Sequence, residues 1–407
     1  MIIGVTGNAG KTSTKETIAA VLRHSKTVRI AAGNLNNEFG FALTILGDWD
    51  QEYYDHGSSM GLWLRVLWAG CRGLIARRDC AEIFLLEYGA DRPGDIKRLA
   101  MVFKPHIAVI TTVGDTPVHI EFFKNADSVA AEKANLVKVL TAVDYAILNH
   151  DDDRVLDMKS KTEAHVVTYG FEEGSTIRIL DFKYLNTDEG KPTGVAFKIH
   201  EASKFVSVEI GGSLGKSQAY AAAAAAAIGM ALGMNLIQIS EALQQYHGPN
   251  GRLKILSGIN GSTIIDDTYN ASPASTRLAL ETLRDLPGLR KIAVLGDMLE
   301  LGEHTIPAHQ NIGTLAASCA DILVCVGSRA KFIADSAANQ MSKNNIFTFD
   351  VSTGAIKKVR ELVEKGDLIL IKGSQGMRME KIVEEIMAES QRKKELLVRQ
   401  SERWLFK

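Results

Sequence analysis

The sequence predicts an α/β protein made of two units, each with a mostly parallel sheet covered by helices. Three observations predict this class. A short apolar run, a glycine-rich turn and a helix-compatible run stand together at the start of the chain. Strand-like and helix-like segments then alternate through the first 150 residues, and the same alternation returns after residue 251. Such alternation is typical of parallel, doubly wound sheets.

The glycine-rich turn has the composition of a phosphate-binding loop (P-loop). Met1–Val5 predicts a strand and Ser13–Leu22 predicts a helix, so the run Thr-Gly-Asn-Ala-Gly-Lys-Thr at 6–12 would aim backbone N–H groups at a polyphosphate. Lys11 would offset phosphate charge, and the Thr12 hydroxyl would bind Mg²⁺. The alternative is an ordinary glycine turn. The predicted nucleotide-binding residues here are Gly7, Asn8, Ala9, Gly10, Lys11, Thr12 and Ser13.

Composition indicates a globular protein without a strongly charged partner. Apolar residues make up 46% of the chain, charged residues make up 23%, and the formal net charge is −1. This balance gives no overall attraction to nucleic acid. The four cysteines form no C-x-x-C pair, which favours reduced thiols, and no basic segment precedes an apolar stretch at the start. We therefore expect a cytoplasmic protein with no nucleic acid partner.

Two apolar stretches could be mistaken for membrane spans. Residues 219–240 carry no charge but are rich in alanine, which favours a buried helix. Residues 61–76 are too short to span a bilayer. Together with the next two arginines, the stretch 61–78 predicts a basic amphipathic helix, which either packs on the protein's own surface or makes a weak contact with a membrane surface or a partner. Its arginines are Arg65, Arg72, Arg77 and Arg78.

The remaining elements of the first unit follow from hydrophobic periodicity. Apolar runs predict buried parallel strands at Ile83–Glu87, Ile107–Thr111 and Tyr145–Leu148, and helical spacing predicts a helix over Ala126–Leu140. After residue 165, alternating residues and polar turns predict a small antiparallel layer of strands. These strands are expected at Val166–Tyr169, Thr176–Tyr184, Val195–His200 and Phe205–Ile210, followed by helices at 217–233 and Ile237–Tyr246.

A turn-rich segment divides the chain. His247–Gly251 combines Gly, Pro and Asn, and it is the predicted hinge between a domain of residues 1–247 and a Rossmann-like domain of residues 248–407. A last helix from Met379 is expected to end in a charged tail, 391–407, that frays. The second domain should have strands at 262–266, 291–295, 322–326, 346–349 and 368–372, and helices at 273–285, 308–318, 329–338 and 353–364.

Three chemically versatile side chains stand near predicted strand ends or on a helix of the first domain. Glu87 closes the strand that starts at Ile83, and a carboxylate beside a P-loop suits a Mg²⁺ ion that bridges nucleotide oxygens. The alternative is a solvated glutamate. His119 follows the next strand and could ligate a second metal, although a lone histidine is more often structural. Lys133 by itself would be interpreted as a surface lysine.

Taken together, these motifs resemble those of the Mur ligases, in particular the MurF type. Residues 6–16 are similar to the family's ATP loop, and Asn34-Leu35-Asn36-Asn37-Glu38-Phe39-Gly40 is similar to its N-x-N-N-x-x-G element. In the second half, residues 267–273 resemble D-x-Y-N-A-x-P, and residues 295–302 resemble L-G-D-M-x-E-L-G. The resemblance covers about residues 1–385.

The resemblance implies an ATP-driven amide ligase of peptidoglycan precursor synthesis. A carboxylate of a UDP-MurNAc-peptide-like substrate would become an acyl phosphate, which the amine of a D-Ala-D-Ala-type dipeptide would attack. Family members use Mg²⁺ at two sites. The resemblance implies that Thr12 and Glu87 hold one ion, and that His119 and a carbamylated Lys133 hold the other.

The resemblance also assigns roles in both domains. Arg252, Asp267, Tyr269 and Asn270 would reach the nucleotide when the hinge closes. The implied catalytic residues are Lys11, His119, Lys133 and Arg252. The implied substrate-binding residues are Asn34, Asn36, Asn37, Lys372, Gly373 and Ser374, the last three for the dipeptide.

Departures from the family pattern leave other functions open. The chain starts at the ATP loop, where family members carry a domain that grips the uridine nucleotide, and residues 48–82 are expected to form an insertion that compensates or recruits a lipid-linked substrate. Ser217 and Ala221 stand where the family has His and Asn, which puts the adenine contacts there in doubt. The alternatives are a related ligase acting on a poly-amino-acid or folate-like acid, or a non-catalytic nucleotide-binding subunit.

Overall fold

The computed structural model describes residues 1–31, 35–47, 49, 52–53, 57, 59–76, 81–114, 122–288 and 290–405. Among the predicted functional residues, Asn34, His119, Arg77 and Arg78 lie outside these ranges. The α/β class is confirmed, because two sheets with flanking helices make up the described chain.

Within the described residues, the strands of the first sheet lie in the order β2-β3-β1-β4-β5-β6-β7-β8-β9. Neighbouring strands pair in parallel from β2 to β7. Strand β8 pairs antiparallel with both of its neighbours, β7 and β9. They are not a separate layer, since Tyr169 and Gly170 of β6 pair with Ile177 and Arg178 of β7. The strands are β1 (Ile2–Thr6), β2 (Val28–Ile30), β3 (Ile83–Glu87), β4 (Ile107–Ile110), β5 (Tyr145–Asn149), β6 (His165–Gly170), β7 (Ile177–Asn186), β8 (Pro192–Glu201) and β9 (Lys204–Gly211).

The helices of this half cover both faces of the parallel part. The alanine-rich helix α8 packs with α1 into one buried cluster, because alanine side chains let two helices approach closely. The helices are α1 (Lys11–Leu22), α2 (Glu38–Leu46), α3 (Met60–Ala76), α4 (Asp95–Val102), α5 (Ala126–Lys133), α6 (Asn135–Lys138), α7 (Asp153–Leu156), α8 (Lys216–Ala231) and α9 (Leu236–Gln244). In the described residues no helix is both long and apolar enough to cross a bilayer.

The second sheet has the order β10-β11-β15-β12-β13-β14 and is parallel apart from its edge strand β10. Its strands are β10 (Lys254–Ser257), β11 (Thr263–Asp267), β12 (Lys291–Gly296), β13 (Ile322–Val326), β14 (Ile346–Phe349) and β15 (Leu368–Lys372). Its helices are α10 (Pro273–Asp285), α11 (Thr305–Cys319), α12 (Lys331–Ala337), α13 (Ser352–Leu362), α14 (Glu380–Ile386), α15 (Lys393–Leu396) and α16 (Glu402–Leu405).

The segment between the sheets contains two left-handed glycines, Gly248 and Gly251, each with φ 67°. Just after it the backbone of Leu253 accepts a hydrogen bond from the N–H of Leu214 (3.0 Å), and the N–H of Ile255 donates to Gly212 (3.0 Å). The domain boundary at 247/248 stays a prediction. The expected fraying of the tail is wrong for its described part, because Leu397 is 3% exposed.

Candidate active site

The P-loop, residues 7–10, connects β1 to α1. Gly7 has φ 151°, and a Cβ atom on it would lie 1.9 Å from the Thr111 hydroxyl oxygen, so a larger residue would clash. Gly10 is left-handed (φ 82°), and α1 begins at Lys11 with no capping side chain from the described residues. The first N–H groups of α1 are therefore available to an anion.

Lys11 and Lys133 converge on one backbone oxygen. Their Nζ atoms donate to the carbonyl of Gly7 at 2.9 Å and 3.1 Å. Burial, and after it the charge of Lys11, lowers the pKa of Lys133 to about 7. Burial also lowers the pKa of Lys11, against the opposing effect of Glu87. A bound polyphosphate would offset the repulsion between the two amines.

Thr12 and Glu87 supply oxygen atoms beside this loop. Val5 of β1 is in register with Glu87 at the end of β3, and the Thr12 hydroxyl donates to Oε2 of Glu87 at 3.3 Å. The Lys15 Nζ atom lies 3.8 Å from the same carboxylate oxygen and donates to Ala31 O at 2.7 Å. A hydroxyl and a carboxylate are the hard donors that Mg²⁺ prefers, so the pair fits a magnesium ion at the P-loop.

The second half of the chain contributes Arg252 to the same place. An Nη atom of Arg252 donates to the Thr12 hydroxyl at 3.4 Å, and its guanidinium carbon lies 4.1 Å from the ring centroid of Tyr269. Stacking on an aromatic face stabilises a guanidinium and fixes its direction. Arg252 therefore links the second half of the chain to the first half at the point where the P-loop ends.

These residues surround one cavity of about 550 Å³ between the two sheets. A site of this size accommodates a nucleotide and part of a second substrate. The predicted residues that line it are Gly7, Asn8, Ala9, Gly10, Lys11, Thr12, Asn36, Glu87, Lys133, Arg252, Tyr269, Asn270 and Ser374.

Other predicted residues lie outside the lining of the cavity. Lys372 is 1% exposed, and its Nζ atom bonds Asp267 Oδ2 at 2.6 Å and Asn270 O at 2.9 Å. Asp267 and Lys372 therefore support the wall as an internal ion pair, with Gly373 beside them. Ser13 is buried in α1, and Asn37 caps α2 by accepting from the N–H of Gly40. The cavity wall does not include these five residues.

Several wall residues have no counterpart among the predicted site residues. Gly89 is one, and a Cβ atom on it would lie 2.2 Å from Asn36 Nδ2, so glycine at this position lets the loop before α2 approach the chain just after β3. Glu300 is another, and its left-handed backbone (φ 64°) lies within the motif quoted above at 295–302. Trp404 also lines the wall, and no pattern in the sequence signalled it.

Comparison with known proteins identifies the family that this chain resembles over most of its length. Residues 74–229 match the Mur ligase middle domain. Residues 251–375 match the domain named "Mur ligase, glutamate ligase domain". The chain belongs to the Mur ligase family. It is an ATP-dependent ligase of the acid–amino-acid class.

Relatives named UDP-N-acetylmuramoyl-tripeptide--D-alanyl-D-alanine ligase include one from Rickettsia prowazekii, 28% identical over 94% of this chain and 77% of its own length. Another, from Bacillus subtilis, is 29% identical over 95% and 76%. Among solved structures, MurF ligase from Thermotoga maritima in complex with ADP has a TM-score of 0.77 at 27% identity, covering 95% of this chain and 79% of that one. MurF from Acinetobacter baumannii has a TM-score of 0.75 at 25% identity, covering 94% and 75%.

Proposed function

We propose that this Mur ligase joins a D-alanyl-D-alanine-type dipeptide to the peptide carboxylate of a UDP-MurNAc-peptide-like precursor in the cytoplasm. The observation that carries the proposal is the convergence of Lys11, Glu87, Lys133 and Arg252 on one cavity. The names of the relatives supply the two substrates. The roles of the individual residues are part of the proposal.

The reaction would take two steps. A carboxylate oxygen attacks the γ-phosphorus of ATP, the bond to the β,γ-bridging oxygen breaks, and ADP leaves. The neutral amine then attacks the acyl carbon, phosphate leaves with the electron pair of the C–O bond, and the nitrogen loses a proton. In the first step two anions must approach each other, and Lys11 and Arg252 would offset their repulsion.

The donor set also suits divalent ions. Thr12 and Glu87 would hold one Mg²⁺, and Lys133, once carbamylated, would hold a second with His119. A bound divalent ion neutralises phosphoryl oxygens and so favours attack on phosphorus. The pKa of about 7 supports carbamylation, because a neutral lysine amine is the form that adds CO₂.

The test is a ligation assay with a panel of acids. The full chain is incubated with ATP, Mg²⁺, D-Ala-D-Ala and one of three acids: UDP-MurNAc-tripeptide, a lipid-linked muramoyl tripeptide, or a folyl-glutamate. Mass spectrometry should show one new amide on a muramoyl acid, with one phosphate released for each amide. Ligation of the folyl acid alone, or ADP binding with no phosphate release from any pair, would overturn the proposal.

We also propose that residues 61–78 contact an anionic membrane surface. On α3, Leu62 and Val66 are buried, whereas Leu64, Leu67 and Trp68 are 62%, 58% and 65% exposed. The stretch 61–78 has four arginines and no acidic residue. An exposed apolar stripe beside positive charge suits the surface of an anionic bilayer.

Sedimentation with vesicles tests this contact. The chain should sediment with phosphatidylglycerol vesicles and less with phosphatidylcholine vesicles. The triple substitution Leu64→Ser, Leu67→Ser and Trp68→Ser should abolish sedimentation, whereas Val143→Ser, at a residue 82% exposed elsewhere, should not. Unchanged sedimentation of the triple variant would remove the proposal.

A further inference from the structure

The end of the chain packs against the residues that form the active site. The matched family residues end at 375, well before this segment. Asn250, in the predicted hinge, donates from its side-chain amide to the carbonyl of Glu395 at 2.6 Å. A Cβ atom on Gly251 would lie 2.9 Å from a methyl carbon of Val398 and 3.1 Å from the backbone nitrogen of Tyr269. The segment therefore contacts both the hinge and the loop that carries Tyr269.

Arg399 makes the central contacts of this segment. Its side chain is 5% exposed, and one Nη atom donates to the carbonyl of Thr268 at 3.0 Å and to Oε2 of Glu380 at 3.0 Å. The other Nη atom donates to the carbonyl of Tyr269. The backbone of Arg399 is left-handed (φ 60°), which is unfavourable for a non-glycine residue. The guanidinium fork thus ties two consecutive carbonyls of the Tyr269 loop to one buried carboxylate.

Glu380 connects Arg399 to the cavity wall. It is 1% exposed, and its second oxygen accepts from Nε of Arg378 at 2.6 Å. Arg378 donates in turn to the carbonyl of Trp404 at 2.9 Å, and Trp404 lines the cavity. The same ion network therefore supports the Tyr269 loop and one aromatic part of the wall.

The contacts form a chain that ends at the P-loop. Arg399 holds the backbone of Tyr269, the ring of Tyr269 carries Arg252 at 4.1 Å, and Arg252 donates to the Thr12 hydroxyl at 3.4 Å. Small displacements of groups around a reacting centre reduce the rate by large factors. Loss of the Arg399 fork would leave the Tyr269 backbone with its N–H bond to the carbonyl of Gly251 (3.1 Å) but without the fork, and so would shift Tyr269 and Arg252.

We propose that Arg399 is a positioning residue of the ligase: its fork holds the Thr268–Tyr269 backbone so that Tyr269 presents Arg252 to the nucleotide at the P-loop. This role rests on the ligase function proposed above. It extends the machinery of the reaction to a tail that lies outside the matched family residues.

The experiment compares Arg399→Ala and Arg399→Lys with Arg392→Ala. Arg392 is the matched control, because it is an exposed tail arginine that pairs with Glu389 and Glu395. For each variant the ADP affinity in the presence of Mg²⁺, kcat and KM of ligation, and Tm are measured. Lysine retains the charge next to Glu380, so the fold is kept, but a single ammonium cannot reproduce a planar fork to two carbonyls.

Both Arg399 variants should bind ADP about tenfold more weakly and lose about 10- to 100-fold in kcat/KM, while Arg392→Ala should stay within about twofold of the wild type. The proposal would be overturned if Arg399→Lys is folded and its ADP affinity and kcat/KM match those of Arg392→Ala. ADP affinity needs no acid substrate. If the wild type ligates none of the acids, the proposed ligase function is wrong. The ADP affinities of the variants still test whether Arg399 positions the nucleotide contacts.

Discussion

Lys133 illustrates how burial changes the chemistry of one side chain. The amine would be a permanent cation on the surface, but in this cavity burial and Lys11 lower its pKa to about 7. We expect Lys133→Ala to lower the rate of phosphate release by at least about 100-fold, because the proposed metal-binding carbamate cannot form. Short-chain carboxylic acids should restore part of the rate by occupying the vacated space.

Lys138→Ala is the control for this change, because Lys138 is an exposed lysine on the next helix, α6. Its rate should equal that of the wild type. Full ligation by Lys133→Ala without any added acid would contradict the proposed role of the lysine.

Asp266 should make stability depend on pH. It is fully buried, and burial raises its pKa from 3.8 to about 6, with smaller contributions from Asp267 and Glu380. The folded state binds the proton more tightly than the unfolded state, so proton binding stabilises the fold. This stabilisation is fully present below pH 4 and is lost as pH rises to about 6. Asp266→Asn removes this loss and keeps an acceptor for Thr268.

The measurement is the free energy of unfolding in urea for wild type and Asp266→Asn from pH 4 to pH 8. The difference, variant minus wild type, should rise by a few kcal/mol up to about pH 6 and then stay constant. Parallel curves over this range would show that the carboxyl titrates alike in the folded and unfolded states.

Side-chain pairing is the part of the site that residue-level reasoning missed. Asp267 and Lys372 each match a family motif, and both were expected to face a ligand. They pair with each other because β11 and β15 are neighbours in the sheet, with Asp267 and Lys372 in register. Sequence patterns predict strands, but not which strands lie next to each other, so the ion pair between these two residues could not be predicted, and their binding roles stay predictions.

At the scale of elements, α8 shows why an uncharged, alanine-rich segment need not enter a membrane. Its alanines from Ala221 to Ala227 are at most 1% exposed, and the cluster that buries them includes residues of α1, the helix that follows the P-loop, and of the first sheet. We expect Ala224→Leu to destabilise the protein by about 1–3 kcal/mol, since a close-packed interface has no room for three extra carbons. The free energy of unfolding and the ADP affinity measure the effect on the fold and on the P-loop.

Ala231→Leu is the comparison for this prediction, because Ala231 is partly exposed in the last turn of α8. It should change stability much less. Equal stability of the two variants would show that the α1–α8 interface can accommodate larger side chains.

The elements that were predicted and those that were missed differ in periodicity. Buried parallel strands such as Ile83–Glu87 are continuous apolar runs, so the prediction of their position was confirmed. The strands β2 and β10 were missed because each has only three or four residues, one of them charged, and so forms no continuous apolar run. The tail was expected to fray because it is rich in charge, yet Arg399 and Glu380 neutralise each other inside the fold.

The whole molecule brings its site together from two sheets that are far apart in sequence. The resemblance to a family predicted site residues from both halves of the chain. Most of these residues line the cavity, including Thr12 and Arg252. What could not be predicted is the support that comes from outside the motifs. Trp404 and Arg399 belong to the last residues of the chain, where no motif is matched, and they reach the site only through tertiary packing.

Because the proposed nucleotide contacts come from both predicted domains, ligand binding should stabilise the molecule as a whole. ADP with Mg²⁺ at about 100 times its Kd should add about 2.7 kcal/mol to the free energy of unfolding. EDTA should reduce the increase, since Thr12 and Glu87 then share no cation with the phosphates. Arg252→Ala should weaken ADP binding about tenfold, which removes about 1.4 kcal/mol at the same ADP concentration.

Thermal unfolding separates the contributions of Mg²⁺ and of Arg252 to this stabilisation. The Tm of wild type, Arg252→Ala and the exposed control Arg360→Ala is measured with ADP, with ADP and Mg²⁺, and with EDTA. The increase in Tm should be largest for wild type and Arg360→Ala with Mg²⁺. An equal increase for Arg252→Ala would mean that the second domain adds nothing to nucleotide binding. In that case the hydrogen bond from Arg252 to Thr12 would be a contact of the free protein only, and closure of the two domains would have to depend on the amine or acid substrate instead.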